Sequence, residues 1–139
     1  RLIAVGSGFE SNSARTSQSI RLLSWGLRNT DTYEVSKKDT TIFDIRTWLG
    51  KKNIIKGKTK EDVYITLSKK DSRFLKVSLD YNGPVKAPIE KDQEIAKLNI
   101  YKKDELIRSI PVYSSEELKK VNFLKSLFLS LNYLVWGDV

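Results

Sequence analysis

Between residues 36 and 113 apolar and polar side chains alternate with period 2. Leu75, Val77, Leu79 and Tyr81 interleave with Phe74, Lys76, Ser78 and Asp80. Val63, Ile65 and Leu67 repeat the pattern, as do Ala96, Leu98 and Ile100 against Lys97, Asn99 and Tyr101. Ile107 and Ile110 follow it less cleanly. A strand turns successive side chains to opposite faces, so each run predicts a strand with one apolar face. Breaks fall at Gly50-Lys51-Lys52-Asn53, Ser68-Lys69-Lys70-Asp71, Asn82-Gly83-Pro84 and Lys102-Lys103-Asp104. Short strands with such breaks predict a small β-sandwich or barrel. Pro84, Pro88 and Pro111 are expected at strand ends or edges, where a missing N–H costs least.

The flanks change period. Leu2-Ile3-Ala4-Val5 reads as a strand. Ser11, Asn12 or Ser13 can then cap a helix whose apolar face carries Ile20, Leu23 and Leu27, widened by Leu22 and Trp25. Gly26 marks its weakening end. After residue 113, Ser114 or Ser115 followed by Glu116 and Glu117 predicts a second helix start, with acids at the positive end of the dipole. Val121, Phe123, Leu124, Leu127, Phe128, Leu131, Leu134 and Val135 share one face of that helix. Lys119, Asn122, Lys125, Ser126 and Ser130 share the other. Such a helix either covers the β-core or lies in a bilayer interface, with Tyr133 and Trp136 at the headgroup boundary. Its apolar runs are far too short for a transmembrane span.

Composition narrows the chemistry. The 139 residues include no Cys, His or Met. This excludes a disulfide framework, a thiolate nucleophile, Cys-ligated zinc and an imidazole base within the sequence. Of the formal charge of +8, residues 36–113 carry +7, from 18 cations and 11 anions. That excess suits an anionic polymer or headgroup surface, or simply a solvated face that keeps strand edges apart. Nucleic acid is not expected, because the charges are mostly Lys in turns without an aromatic-and-basic strand to stack bases. No Ser is followed three residues later by Lys, and Lys58-Thr59-Lys60 is not Lys-Thr-Gly. Ser130-Leu131-Asn132 spells Ser-x-Asn inside the amphipathic segment and carries no weight. No phosphate loop or metal-ligand pattern occurs, so no cofactor and no metal are expected. A chain that opens on Arg1 and an apolar run reads as a fragment entered mid-domain.

Several stretches together resemble one family, in order and spacing. They are Arg1-Leu2-Ile3-Ala4-Val5, Ser13-Ala14-Arg15, Ser19-Ile20-Arg21-Leu22-Leu23-Ser24-Trp25-Gly26-Leu27-Arg28, Thr47-Trp48-Leu49-Gly50, Val85-Lys86-Ala87-Pro88-Ile89 and the closing helix. The chain resembles the C-terminal part of the low-molecular-mass penicillin-binding proteins, the serine D-alanyl-D-alanine carboxypeptidases. The resemblance implies a mainly β fold in three parts. Residues 1–35 would be a strand–helix remnant of the α/β, β-lactamase-like catalytic domain. Residues 36–113 would be an all-β stalk, and residues 114–139 an amphipathic membrane-anchoring helix. It further implies acyl transfer on the peptidoglycan stem peptide, with the Ser-x-x-Lys, Ser-x-Asn and Lys-Thr-Gly groups upstream, so that this chain alone is expected to be inactive. Arg15 would pair with the substrate's terminal carboxylate. Lys119, Lys120, Val121, Phe123, Leu124, Lys125, Leu127, Phe128, Leu131, Tyr133, Leu134, Val135 and Trp136 would meet lipid. The implied location is the periplasm, on the outer face of the inner membrane. Self-association through the unpaired N-terminal strand is a further expectation. The alternative is a stand-alone, non-enzymatic basic β-domain that binds an anionic polymer or a partner.

Overall fold

The computed structural model describes residues 2–122. Helix α1 (Asn12–Asn29) opens the ordered elements. Ser11 caps it, its Oγ accepting from the Ala14 N–H at 3.1 Å, which is one of the starts the sequence offered. Thr30 closes it, donating from its hydroxyl to the Gly26 carbonyl at 2.8 Å. Gly26 is buried because the Leu2 side chain lies where a Cβ would stand, at 2.9 Å.

Eight strands follow: β1 (Thr30–Ser36), β2 (Phe43–Trp48), β3 (Ile54–Lys58), β4 (Val63–Ser68), β5 (Leu75–Asp80), β6 (Val85–Lys86), β7 (Glu94–Lys102) and β8 (Glu105–Ser114). They form a two-stranded sheet, β1-β4, and a six-stranded sheet in the order β5-β7-β8-β3-β2-β6. All pairs are antiparallel except β2-β6. The alternation seen in the sequence holds: Ala96, Leu98 and Ile100 of β7 are buried, whereas Lys97 is exposed and Asn99 and Tyr101 are half-buried. With Ile45, Ile55, Val63, Ile89 and Val112 they make one core. Ser36 and Thr59 are buried within it and satisfy each other through a hydroxyl–hydroxyl bond of 2.8 Å.

Three expectations are corrected. Leu2–Val5 forms no strand and pairs with nothing among the described residues. A strand needs a ladder partner to satisfy its backbone, and none is offered here. Residues 30–35 do not stay with the N-terminal piece; they become β1 and pair with β4. Ser114 does not start a helix: it ends β8, and residues 115–122 run on in extended bridges and turns. The expected helix beyond that point, from Phe123 to Val139, lies outside the described residues. Pro84 and Pro88 flank β6, as expected. Pro111 lies inside β8 opposite Lys97, where the β3 ladder, which reaches only Tyr113, leaves it a single paired neighbour. Among the described residues no helix is long and apolar enough to cross a membrane.

Candidate functional site

Two regions carry the residues singled out in the sequence. The first is the start of α1. Arg15 sits one turn inside the helix, its N–H donating to the Ser11 carbonyl at 2.9 Å, and its side chain is exposed. It lines an open cleft of about 550 Å³ with Gly6, Ser7, Phe9, Glu10, Ser11 and Asn12. Gly8 takes φ 75°, which lets the loop fold back over the helix start. A guanidinium beside free N–H groups at a helix N-terminus is suited to a carboxylate. Glu10 is the one anion among these lining residues. The apolar side chains of α1 are largely uncovered: Ile20, Leu22, Trp25 and Leu27 are each more than half exposed.

The second region is the exit of the chain from the β-unit. Leu118 exchanges both backbone hydrogen bonds with Ile89, at 2.8 and 2.9 Å. The Lys51 N–H donates to the Lys119 carbonyl at 3.1 Å, and the Val121 N–H donates to the Leu49 carbonyl at 2.9 Å. Leu118 and Val121 are buried, only 2% and 8% exposed. Two of the stretches that carry the resemblance build this clamp. Thr47-Trp48-Leu49-Gly50 and Val85-Lys86-Ala87-Pro88-Ile89 lie side by side, with the Ala87 N–H on the Trp48 carbonyl at 2.9 Å. Leu49 takes φ 58°, a left-handed turn that aims its carbonyl at Val121. Gly50 is required by close approach, since a Cβ there would stand 2.6 Å from Leu118 Cδ2 and 3.0 Å from the Lys52 carbonyl oxygen.

The clamp changes the standing of three residues. Val121 belongs to the β-unit and not to a lipid-facing helix. Lys119 and Lys120 are exposed on an extended segment, beside Lys51 and Lys52 of the β2–β3 turn. Lys52 pairs with Glu116 at 2.6 Å. Sequence reasoning missed Gly50, Lys51, Ile89 and Leu118 as a group, because only long-range bridges bring them together. Phe123, Leu124, Lys125, Leu127, Phe128, Leu131, Tyr133, Leu134, Val135 and Trp136 lie outside the described residues. No group of three or more metal-ligating side chains occurs among the described residues.

One charge cluster braces the opposite ends of several loops. Lys58 lies between Asp92, at 2.9 Å, and Asp39, at 3.0 Å. Both aspartates take left-handed backbone conformations, φ 62° and φ 57°. The hydrogen bonds that Lys58 donates to Asp92 and then to Asp39 hold its ammonium above its usual range, and the one Asp92 accepts from Lys58 holds Asp92 below the usual carboxylate range. The lowered Asp92 contributes stability that is present above its unfolded value of about 3.9 and lost as pH falls through its folded value. The raised Lys58 contributes stability that is complete below about 10.4 and lost as pH rises through its folded value. Lys58→Met is therefore expected to lower the urea midpoint at pH 7 and to converge on the parent chain as pH falls below about 4. A gap between the two midpoints that stays constant from pH 7 to pH 2 would show that the cluster does not act through charge.

Residues 31–120 match the family model described as Penicillin-binding protein 5, C-terminal domain. The chain is 31% identical over 122 residues to D-alanyl-D-alanine carboxypeptidase DacD of Salmonella typhimurium, covering 86% of this chain and 31% of that protein. It is 28% identical over 128 residues to D-alanyl-D-alanine carboxypeptidase DacF of Bacillus subtilis, covering 91% and 33%. The fold is similar to the crystal structure of penicillin binding protein 5 from Haemophilus influenzae, with a TM-score of 0.68 at 24% identity over 79% of this chain and 32% of that one. The D-alanyl-D-alanine carboxypeptidase DacD of Francisella tularensis gives a TM-score of 0.60 at 25% identity over 82% and 29%. The chain thus spans about a third of the length of these relatives. Through the β-unit that ends in the exit clamp, this chain belongs to the family of the penicillin-binding protein 5 C-terminal domain.

Proposed function

We propose that this chain is the C-terminal part of a serine D-alanyl-D-alanine carboxypeptidase, and that its β-unit is a spacer between the catalytic domain and the outer face of the cytoplasmic membrane, in the periplasm. The observation that carries this is the clamp on residues 118–121. It fixes where the chain leaves the β-unit, so whatever follows residue 122 departs from a defined point. Exposed Lys51, Lys119 and Lys120 surround that point. Each juxtamembrane Lys is worth about 1 kcal/mol against anionic headgroups. The residues that follow, with Phe128, Leu131 and Trp136 at helical spacing, supply the apolar face of an interfacial helix.

In this reading the reaction belongs to the whole protein. A serine activated by a lysine attacks the carbonyl of the penultimate D-Ala of a peptidoglycan stem peptide. The C–N bond to the terminal D-Ala breaks, the amine leaves with a proton, and water then hydrolyses the acyl-enzyme. Those groups would lie in the two thirds of the protein that this chain does not span. Arg15 would hold the carboxylate of the departing D-Ala, and the uncovered side chains of α1 would pack against the rest of the catalytic domain.

Co-sedimentation of the full 139-residue chain with vesicles of phosphatidylglycerol and phosphatidylethanolamine tests the anchor. The paired change Phe128→Asp and Leu131→Asp is expected to return the protein to the supernatant. Equal sedimentation of the changed and unchanged chains would remove the anchor from the proposal.

A further inference from the structure

Strand β5 is an open edge of the six-stranded sheet: among the described residues it pairs only with β7. Just ahead of it, the Lys103 N–H donates to the Phe74 carbonyl at 2.9 Å. Hydrogen-bonded and non-hydrogen-bonded pairs alternate along an antiparallel ladder, and no register shift interrupts this one from Leu75 to Asp80. The backbone groups of Lys76, Ser78 and Asp80 are therefore spent on β7, and those of Leu75, Val77 and Leu79 face outward. Such a row is a template for another strand.

The side chains mark the same edge as unfinished. Val77 stands opposite the fully buried Ile100 and so lies on the core side of the sheet, yet it is 43% exposed. Leu75, Leu79 and Tyr81 pack against the core and are only half-buried. The core runs out to this edge without being closed over. On the other face Lys76 and Asp80 are exposed. Among the described residues neither is in an ion pair, although Lys97 stands across from Asp80.

The order of these residues is self-complementary. A two-fold axis beside Ser78, perpendicular to the sheet, sets a second β5 antiparallel to the first. Ser78 then faces the partner's Ser78, Lys76 faces the partner's Asp80, and Asp80 faces the partner's Lys76. On the core side Val77 meets the partner's Leu79, and Leu75 meets the partner's Tyr81. These last two pairs are the ones whose backbone groups face outward, so the hydrogen-bonding phase fits the same register. A slip of two residues either way puts Lys76 against Ser78 or Asn82 and loses both ion pairs. An edge lysine ordinarily keeps a second strand away. Here the spacing of Lys76 and Asp80 sets it against a carboxylate instead, and opposite charges directly across a ladder attract.

We infer that β5 is a homodimer edge, through which two copies of this chain join their sheets into one. The contact is isologous, as a closed dimer requires, and its short edge makes it a weak one. The inference stands on β5 alone. It depends neither on the carboxypeptidase reading nor on the anchor.

The 139-residue chain contains no Cys, so single cysteines report on the contact directly. In the inferred register Ser78 and the partner's Ser78 form a non-hydrogen-bonded pair with Cα atoms about 4.5 Å apart, within disulfide reach. Ser78→Cys is expected to give a covalent dimer on mild oxidation. Lys97→Cys, one strand in from the edge, is expected to stay monomeric. Sedimentation velocity up to about 1 mM gives the second measure. Lys76→Asp and Asp80→Lys are each expected to weaken self-association about 5–30-fold, because each sets two like-charge pairs across the axis. The two changes together exchange the charges and are expected to return the affinity to within about threefold of the parent chain. Crosslinking of Ser78→Cys no faster than that of Lys97→Cys would overturn the inference. So would a chain that stays monomeric at about 1 mM, or self-association that the single charge reversals leave unchanged.

Discussion

Leu118→Ala is expected to lower the stability of the β-unit by about 2–5 kcal/mol, the range for emptying a fully packed leucine site. Leu118 is 2% exposed and belongs to the main core, although it lies past the last strand. Its backbone is held by Ile89, which is itself fully buried, so the surroundings have little freedom to collapse into the space left behind. For a unit of this size each kcal/mol moves Tm by about 4–8 °C. The comparison variant is Leu106→Ala, at a side chain 50% exposed on β8, where the change is expected to stay near 0.5 kcal/mol or less. The loss at Leu118 should also loosen residues 119–122, so trypsin should cut after Lys119 or Lys120 faster in Leu118→Ala than in the parent chain. Similar Tm values for the two variants would mean that the exit segment is only laid against the β-unit and is not part of it.

In the full-length enzyme that the proposal implies, Arg15→Ala is expected to lower kcat/KM for a D-Ala-terminated peptide by roughly 30–1000-fold. This corresponds to about 2–4 kcal/mol for a charge-assisted, bidentate contact removed in a site shielded by the rest of the catalytic domain. Arg15→Lys keeps the charge but loses the planar fork, and an intermediate loss is expected. A substrate analogue with an amidated C-terminus should be insensitive to all three side chains. If the amidated and free-acid peptides respond equally to Arg15→Ala, the guanidinium has a structural role at the start of α1 and does not read the carboxylate.

The β-unit was legible where the signal was local. The alternation in β7, the strand β5 although its Val77 is exposed, and the turns at Gly50–Asn53 and Lys102–Asp104 all follow from residues a few positions apart. So does the Ser11 cap of α1. The exit clamp was not legible, because its contacts join residues 49 and 121, 51 and 119, and 89 and 118. Locally, Ser114-Ser115-Glu116-Glu117 carries the composition of a helix start. In the structure the Ser114 hydroxyl instead bonds the Glu116 carbonyl at 2.5 Å, and burial of Leu118 holds the backbone extended. Tertiary packing outweighs a propensity difference of a few tenths of a kcal/mol per residue. Leu2–Val5 illustrates the converse: its apolar pattern is that of a strand, but the pattern alone supplies no partner. The Asp39–Lys58–Asp92 cluster was invisible for the same reason as the clamp, since no spacing in the sequence announces it. For Arg15, the sequence placed the residue correctly in the first turns of a helix, and the chemistry assigned to it rests on the resemblance.

The central proposal, that this chain is the tail of a working carboxypeptidase, is tested most directly in the source cells. Total protein would be labelled with a tagged β-lactam, which acylates the same serine as the substrate, and the product would be identified through peptides from residues 36–113. The proposal predicts a labelled protein about three times the 16.0 kDa of this chain, in keeping with relatives of which it spans about a third. A product near 16.0 kDa that takes up no label would contradict it.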